Sequence, residues 1–240
     1  MRLAPVLASL VALSACNFSA DAQDIEPSGR TTSRTFAASG FDAISVAGPY
    51  DAVVRVGPSA SVRAEGDEAL IGRMKVEVRG GELQVGTEKG VRLRWDRGSK
   101  VTVYITLPAI RSAEIAGSGD MNIDRAEGRA FEGDVAGSGN LVIERLRADQ
   151  VEFSVAGSGN IRARGEAGRV DVSIAGSGDV EIAELRARDL EVSIAGSGNV
   201  RSFASASADV SIMGSGDVEV GGGARCSVSK MGSGSVRCGG

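Results

Sequence analysis

From residue 112 onward, apolar and polar side chains alternate with a period of two on both sides of a recurring tripeptide. This Gly-Ser-Gly begins at Gly117, Gly137, Gly157, Gly176, Gly196, Gly214 and Gly232, at intervals of 20, 20, 19, 20, 18 and 18 residues. Two places before the first glycine stand Ile115, Val135, Val155, Ile174, Ile194 and Ile212, and four before it Phe153, Val172, Val192, Val210 and Val228. After the turn come Met121, Leu141, Ile161, Val180, Val200, Val218 and Val236. A period of two marks a strand with one face buried, so each unit predicts a strand, a Gly-Ser-Gly corner, a short strand and a polar return. One unit alone buries too little apolar surface to offset the entropy of ordering it, so the units must cover one another.

Stacking covers the edges of each strand with its neighbours, and no proline follows Pro108 to remove a backbone donor from such ladders. The expected fold is therefore all-β: a parallel β-helix (β-solenoid), expected to be right-handed, with 18–20 residues per coil and a rise of about 4.8 Å. The competing architecture is an antiparallel meander in which every Gly-Ser-Gly is a hairpin turn. Stacking explains identical residues at identical corners, which a meander does not require.

Between Phe41 and Leu107 the pattern is less regular, but Val53–Val56, Met74–Val78, Glu82–Val85 and Val101–Ile105 alternate as strands bounded by Gly, Pro or charged turns. Asp67 to Arg73 predicts a helical turn capped by Asp67. Trp95, the only tryptophan, lies among arginines and is expected to be a packed lid more readily than a ligand platform. The last coil departs from the repeat. Lys230 takes the inward position of Ile212, Ser235 replaces the usual Asp or Asn, and Cys226 and Cys238 align with Ala208 and Val220. An inward charge at the end of a stack opposes edge-to-edge growth, and the two cysteines are expected to form a disulfide closing the terminal coil.

Outward positions form rows. Five residues before the corners stand Glu132, Glu152, Asp171, Glu191 and Asp209, and three before them Ser154, Ser173, Ser193, Ser211 and Ser229; these two rows are the candidate binding surface. Carboxylates about 4.8 Å apart repel by roughly 1 kcal/mol per pair even in water. Such a row is either a solvated face partly neutralised by the abundant arginines or a surface for cations or basic ligands. At the corners, Asp120, Asn140, Asn160, Asp179, Asn199 and Asp217 form a ladder that needs no ligand, since Asp and Asn satisfy turn backbone and tolerate left-handed conformations. A flat face of small residues includes Ala136, Ala156, Ala175 and Ala195.

Composition narrows the chemistry. The 240 residues contain no histidine, which removes Ser-His-Asp and Cys-His catalysis and imidazole-bound zinc. No GxGxxG occurs, and the nearest approach to a phosphate loop, Gly81 to Thr87, has threonine where the lysine should stand. The corner acids lack the spacing of the calcium-binding nonapeptide, so neither a metal nor a cofactor is expected. The net charge is −4, and −5 without residues 1–15 and their single Arg2, which argues against a nucleic-acid partner.

Arg2 precedes an uncharged run from Leu3 to Ala15, the size of a signal-peptide core and too short to span a bilayer. It ends in Leu13-Ser14-Ala15-Cys16, which resembles a bacterial lipobox; the resemblance implies that Cys16 is acylated and becomes the mature N-terminus, and Asn17 in place of aspartate implies export to the outer membrane. An ordinary signal cleaved near Ala22 is the alternative. Acyl chains would hold the protein at a membrane, and the remaining pair, Cys226 and Cys238, suits an oxidising compartment. The expected organisation is a signal peptide over 1–15, a polar flexible tether over 16–40 and a single solenoid domain over 41–240, with irregular strands to 110 and regular coils with a C-terminal cap beyond.

Gly40-Phe41-Asp42-Ala43-Ile44, Glu82-Leu83-Gln84-Val85, Tyr104-Ile105-Thr106-Leu107-Pro108 and, above all, the repeated Gly-Ser-Gly-Asp/Asn resemble the head GIN domain family, which carries an autotransporter-adhesin label. The similarity runs from Phe41 to Cys238 and implies a bacterial envelope β-helix with no established reaction, so no catalytic residue is carried over. Three functions follow as expectations. The first is a non-enzymatic envelope lipoprotein presenting a rigid β face to glycan, envelope polymer or protein. The second is a structural scaffold packing on a partner or itself through the Ala/Gly/Ser face. The third is a polysaccharide-active β-helix enzyme with paired carboxylates, although an enzyme site should interrupt the repeat, whereas these carboxylates form a uniform ladder.

Overall fold

The computed structural model describes residues 23–95 and 99–239. Strands β1 (Gln23–Ile25), β2 (Thr31–Phe36), β3 (Ala43–Gly48), β4 (Asp51–Val56) and β5 (Ser61–Asp67) are followed by helix α1 (Glu68–Gly72) and then by β6 (Met74–Arg79), β7 (Glu82–Thr87), β8 (Val91–Leu93) and β9 (Val101–Leu107). The regular part comprises β10 (Ser112–Gly117), β11 (Met121–Ile123), β12 (Ala126–Gly137), β13 (Asn140–Gly157), β14 (Asn160–Gly176), β15 (Val180–Gly196), β16 (Val200–Gly214), β17 (Val218–Gly221), β18 (Arg225–Gly232) and β19 (Val236–Cys238).

Successive coils pair in parallel. Val135 lies on Val155, Val155 on Ile174, Ile174 on Ile194, and Ile194 on Ile212. Each of these side chains is at most 3% exposed, so one continuous apolar column fills the solenoid. The return is not a separate polar loop. Strand runs on from one corner to the next, up to 18 residues in β13, and bends at register shifts such as that between Ile143 and Leu146. Bulges turn a long strand without giving up its ladder.

The stack begins one coil earlier than the Gly-Ser-Gly repeat. β3 lies parallel to β10 and β4 parallel to β11, with Gly48 beside Gly117 and Ala52 beside Met121. On their other side β3 and β4 pair in parallel with β7 and β9. Antiparallel strands then close this end: β6 on β7, β5 on β9, and β2 on β5. Helix α1 forms where expected. The Asp67 carboxylate accepts from the N–H of Ala69 and Leu70 and also from the Ser28 hydroxyl and Gly29 N–H. Backbone donors hold its carboxyl below the usual range against the opposing effect of burial, which is the largest single influence.

The tether expected over 16–40 does not hold where the structure describes it, since β1 pairs with β8 and β2 with β5. β2 is an edge strand with most side chains in solvent, so its sequence, Thr31 to Phe36, carries no burial alternation. The signal peptide over 1–15 and Cys16 lie outside the described residues.

Candidate functional site

The corners fix every outward row. At each repeat the first glycine has positive φ, for example +126° at Gly157, and a Cβ there would lie 2.5 Å from the carbonyl oxygen of Gly137 in the preceding coil. A Cβ on Gly159 would lie 2.3 Å from the Gly139 carbonyl. Both glycines are thus required by backbone stacked directly on backbone. The Gly117 carbonyl accepts from both Ser138 N–H at 2.9 Å and Gly139 N–H at 3.1 Å, and the Gly137 carbonyl does the same for Ser158 and Gly159. Gly48-Pro49-Tyr50-Asp51 is the first corner of the series. Among the described residues no equivalent corner precedes it, and Tyr50 is fully buried there, sharing a hydrogen bond of 2.7 Å with Thr87 and meeting Trp95 edge-on at 5.7 Å. Trp95 is half-buried against this core.

The Asp/Asn ladder is continuous but works differently from the expectation. No non-glycine residue among those described has positive φ, so the left-handed role is not used. Each side chain instead serves the next coil. Asp51 accepts from Asp120 N–H, Asp120 from the N–H and side-chain amide of Asn140, Asn160 from Asp179 N–H, and Asn199 from Asp217 N–H. Asp217 ends the series by accepting from both the N–H and hydroxyl of Ser235. Where two aspartates adjoin, at Asp51 and Asp120, Lys100 pairs with Asp51 at 3.1 Å.

Beside this ladder runs a trough of about 810 Å³ extending from Asp120 to Ser235. Its other wall is a row that the sequence reading missed, five residues after each first glycine: Asn122, Val142, Arg162, Glu181, Arg201, Glu219 and Arg237. From Arg162 onward the charges alternate from coil to coil. Arg201 reaches Glu181 at 3.1 Å and Glu219 at 3.9 Å. Arginine and glutamate are scattered through the linear sequence, and only alignment on the corner exposes the alternation. A further wall repeats the device, with Arg164 between Glu144 at 3.8 Å and Glu184 at 3.4 Å.

The two rows of the expected binding surface lie side by side. Glu132, Glu152, Asp171, Glu191 and Asp209 follow one another in register, as do Ser154, Ser173, Ser193 and Ser211. Arg169 bridges Asp171 and Glu191, with contacts of 2.9 and 2.5 Å, and lines a shallow hollow of about 270 Å³ with Glu152, Ser173 and Ser193. Towards the N-terminal end the serine row turns acidic, since Ser154 continues into Asp134 and Glu114. Partial burial, with Glu132 as the next largest influence, pushes the Asp134 carboxyl up to about 6. Among the described residues no group of three or more acidic or cysteine side chains is arranged to hold a metal ion.

The C-terminal coil ends the column. Cys226 and Cys238 are joined in a disulfide, in register with Ala208 and Val220 as expected. Both cysteines occupy inward positions, yet Cys226 is half-buried and Cys238 exposed, because among the described residues no further coil covers them. Lys230 lies beside Ile212 and donates to the Gly234 carbonyl at 2.7 Å. The alanine row continues in register from Ala195 into Met213 and Met231, which are 64% and 71% exposed.

Residues 40–224 match the family described as "Putative auto-transporter adhesin, head GIN domain". Three crystal structures share the architecture. A "putative adhesin" from Bacteroides fragilis is 23% identical with a TM-score of 0.82, covering 89% of this chain and 99% of its own. A "putative lipid binding protein" from Parabacteroides distasonis is 25% identical with a TM-score of 0.75, covering 90% and 99%. A second "putative adhesin" from Parabacteroides distasonis is 22% identical with a TM-score of 0.68, covering 90% and 100%. No curated protein matches the chain.

Proposed function

The chain belongs to the head GIN domain family, and from that premise we propose that it is a non-enzymatic module of the bacterial cell envelope that holds a linear, polar envelope polymer, of glycan type, along its trough. The adhesin description of the family supports an envelope or surface location and a role in binding. One observation carries the reading: the trough runs parallel to the stacking axis from Asp120 to Ser235, and from Asn160 onward an Asn/Arg coil (Asn160 with Arg162, Asn199 with Arg201) alternates with an Asp/Glu coil (Asp179 with Glu181, Asp217 with Glu219). A polymer with repeating hydroxyl groups meets the same donors and acceptors at every second coil. Pairing of Arg201 with Glu181 and Glu219 leaves the wall close to neutral while the Arg201 side chain stays 66% exposed. Nothing in the trough breaks the repeat with a separate acid and base pair, the arrangement that glycoside hydrolysis uses.

Acylation of Cys16 would tether the module to the outer membrane, and the lipobox resemblance is what supports this. No helix among the described residues is long and apolar enough to cross a membrane. A glycan array probed with the disulfide-intact protein tests the proposal. The Arg162→Ala/Arg201→Ala double variant should lose binding by about tenfold, as removal of charge-assisted hydrogen bonds predicts. If Glu152→Gln/Glu191→Gln loses binding while the arginine variant does not, the acidic and serine rows are the binding surface instead. Retention of polymer binding by both variants would overturn a site on either face.

A further inference from the structure

We infer that the C-terminal end of the solenoid is a docking edge for an acidic, extended peptide segment of a partner protein, which adds a further strand to β18. The two ends of the stack are unlike. At the N-terminal end helix α1 lays the buried Leu70 and Ile71 on the apolar core, although β2 and β6 remain edge strands, whereas among the described residues β18 pairs only with β16 and neither a strand nor a helix covers its other side. Backbone donors and acceptors of alternate residues on that edge face outward, a ready template for strand addition. The inward side chains of β18 continue the buried column but lie open: Val228, in register with Val210, is 49% exposed.

Charge selects the occupant. Residues 221–239 contain Arg225, Lys230 and Arg237 and no Asp or Glu, in a chain whose net charge is −4. Their field extends into the preceding coil, where Asp217 is held below the usual carboxylate range first by the hydrogen bonds from Ser235 and then by Arg237 and Lys230. A second copy of this chain does not fit. Its N-terminal edge strands β2 and β6 carry Arg34, Lys75 and Arg79 against one acid, Glu77, so a head-to-tail contact would oppose like charges, and two C-terminal ends would bring three cations against three. A lipid surface fits poorly as well, since an unpaired strand edge finds no hydrogen-bond partners in a bilayer core. An extended segment with alternating apolar and acidic residues would lay its apolar side chains over Val228 and the Cys226–Cys238 bridge, and its carboxylates on the opposite face, beside Arg225. Arg237 also lines the trough, but Arg225, Val228 and Lys230 do not, and Arg162 and Arg201 lie away from this edge, so either site can fail without the other.

The test uses the full chain with its disulfide intact and a fluorescent peptide of alternating Glu and Val, of about the 8-residue length of β18. Controls are the Lys/Val counterpart, the Glu/Val peptide N-methylated on alternate residues, and anionic phosphatidylglycerol vesicles. The Glu/Val peptide should bind at least about tenfold more tightly than the Lys/Val peptide and weaken as salt rises towards about 1 M. N-methylation should abolish binding, and binding should protect β18 amides from hydrogen exchange. The exposed charge reversals Arg225→Glu and Arg237→Glu should reverse the preference for Glu/Val over Lys/Val, while Arg162→Ala/Arg201→Ala should leave it intact. Equal affinity for both peptides, indifference to N-methylation, vesicle binding without peptide binding, or dimerisation of the free chain through this end would each overturn the proposal.

Discussion

The Asp179 carboxylate accepts two hydrogen bonds from Asn199 in the next coil, from the backbone N–H and from the side-chain amide, both at 2.9 Å. Asn140, Asn199 and Ser235 follow Asp120, Asp179 and Asp217 in the corner ladder and keep a side-chain donor next to each of these carboxylates. Asn199→Asp places a third carboxylate between Asp179 and Asp217 and removes the amide donor. We expect a loss of about 1–2 kcal/mol at neutral pH. Crowding raises the folded-state pKa values of such a trio, so the deficit is present above them and fades as pH falls towards about 4. Asn199→Ala should lose about 1 kcal/mol with no recovery in acid. Urea melts of both variants across pH separate the two effects.

The corner glycines are limited by the backbone of the neighbouring coil, whereas the serine between them points into solvent. Gly157→Ala brings a Cβ to 2.5 Å from the Gly137 carbonyl at φ +126°. It should cost about 3 kcal/mol or more, combining backbone strain with overpacking. Ser158→Ala should change stability by less than about 0.5 kcal/mol. Similar losses in the two variants would mean that the corners do not stack carbonyl over Cβ position.

This contrast explains what the sequence disclosed. A Cβ is excluded at Gly139, Gly159 and their equivalents by a carbonyl in the preceding coil, so the stack writes Gly-x-Gly into the chain at every turn. The fold, the inward rows and the Cys226–Cys238 pairing were legible for that reason. The first coil was hidden because no corner precedes it, which leaves room for Pro49 and Tyr50 where later coils need serine and glycine, although Asp51 still holds its place in the ladder. β2 was hidden because an exposed edge strand needs no alternation. The trough was hidden because its logic is the pairing of Arg201 with Glu181 and Glu219, 20 and 18 residues away in sequence.

Asp134 gives the acidic face a pH response. Its carboxyl is pushed up to about 6 by burial and by Glu132, from an ordinary 3.8. A carboxyl whose folded pKa is raised disfavours the folded state once ionised, so stability present at low pH is lost as pH rises from about 4 through about 6. Solvent screening of a partly exposed group reduces the effect to about 1 kcal/mol. Asp134→Asn should stabilise the protein by that amount at pH 7 and flatten the melting temperature between about pH 4 and 7. An unchanged pH profile in the variant would show that this carboxyl is not perturbed.

The terminal disulfide should act locally. In a solenoid each coil contacts only its neighbours, so an end coil can open without the rest. The Cys226–Cys238 bridge closes a loop with a sequence separation of 12 and joins the two strands flanking the last corner. Loop-closure entropy for a ring of that size corresponds to about 3 kcal/mol. Lys230 adds its hydrogen bond to the Gly234 carbonyl, but Val228 and Met231 gain little from burial. Cys226→Ser/Cys238→Ser should therefore speed hydrogen exchange throughout β18 and β19 by about a hundredfold. Amides of β13 and β14 should keep their wild-type protection. Loss of protection there as well would mean that the coils unfold as one unit and that the C-terminal end secures the whole stack.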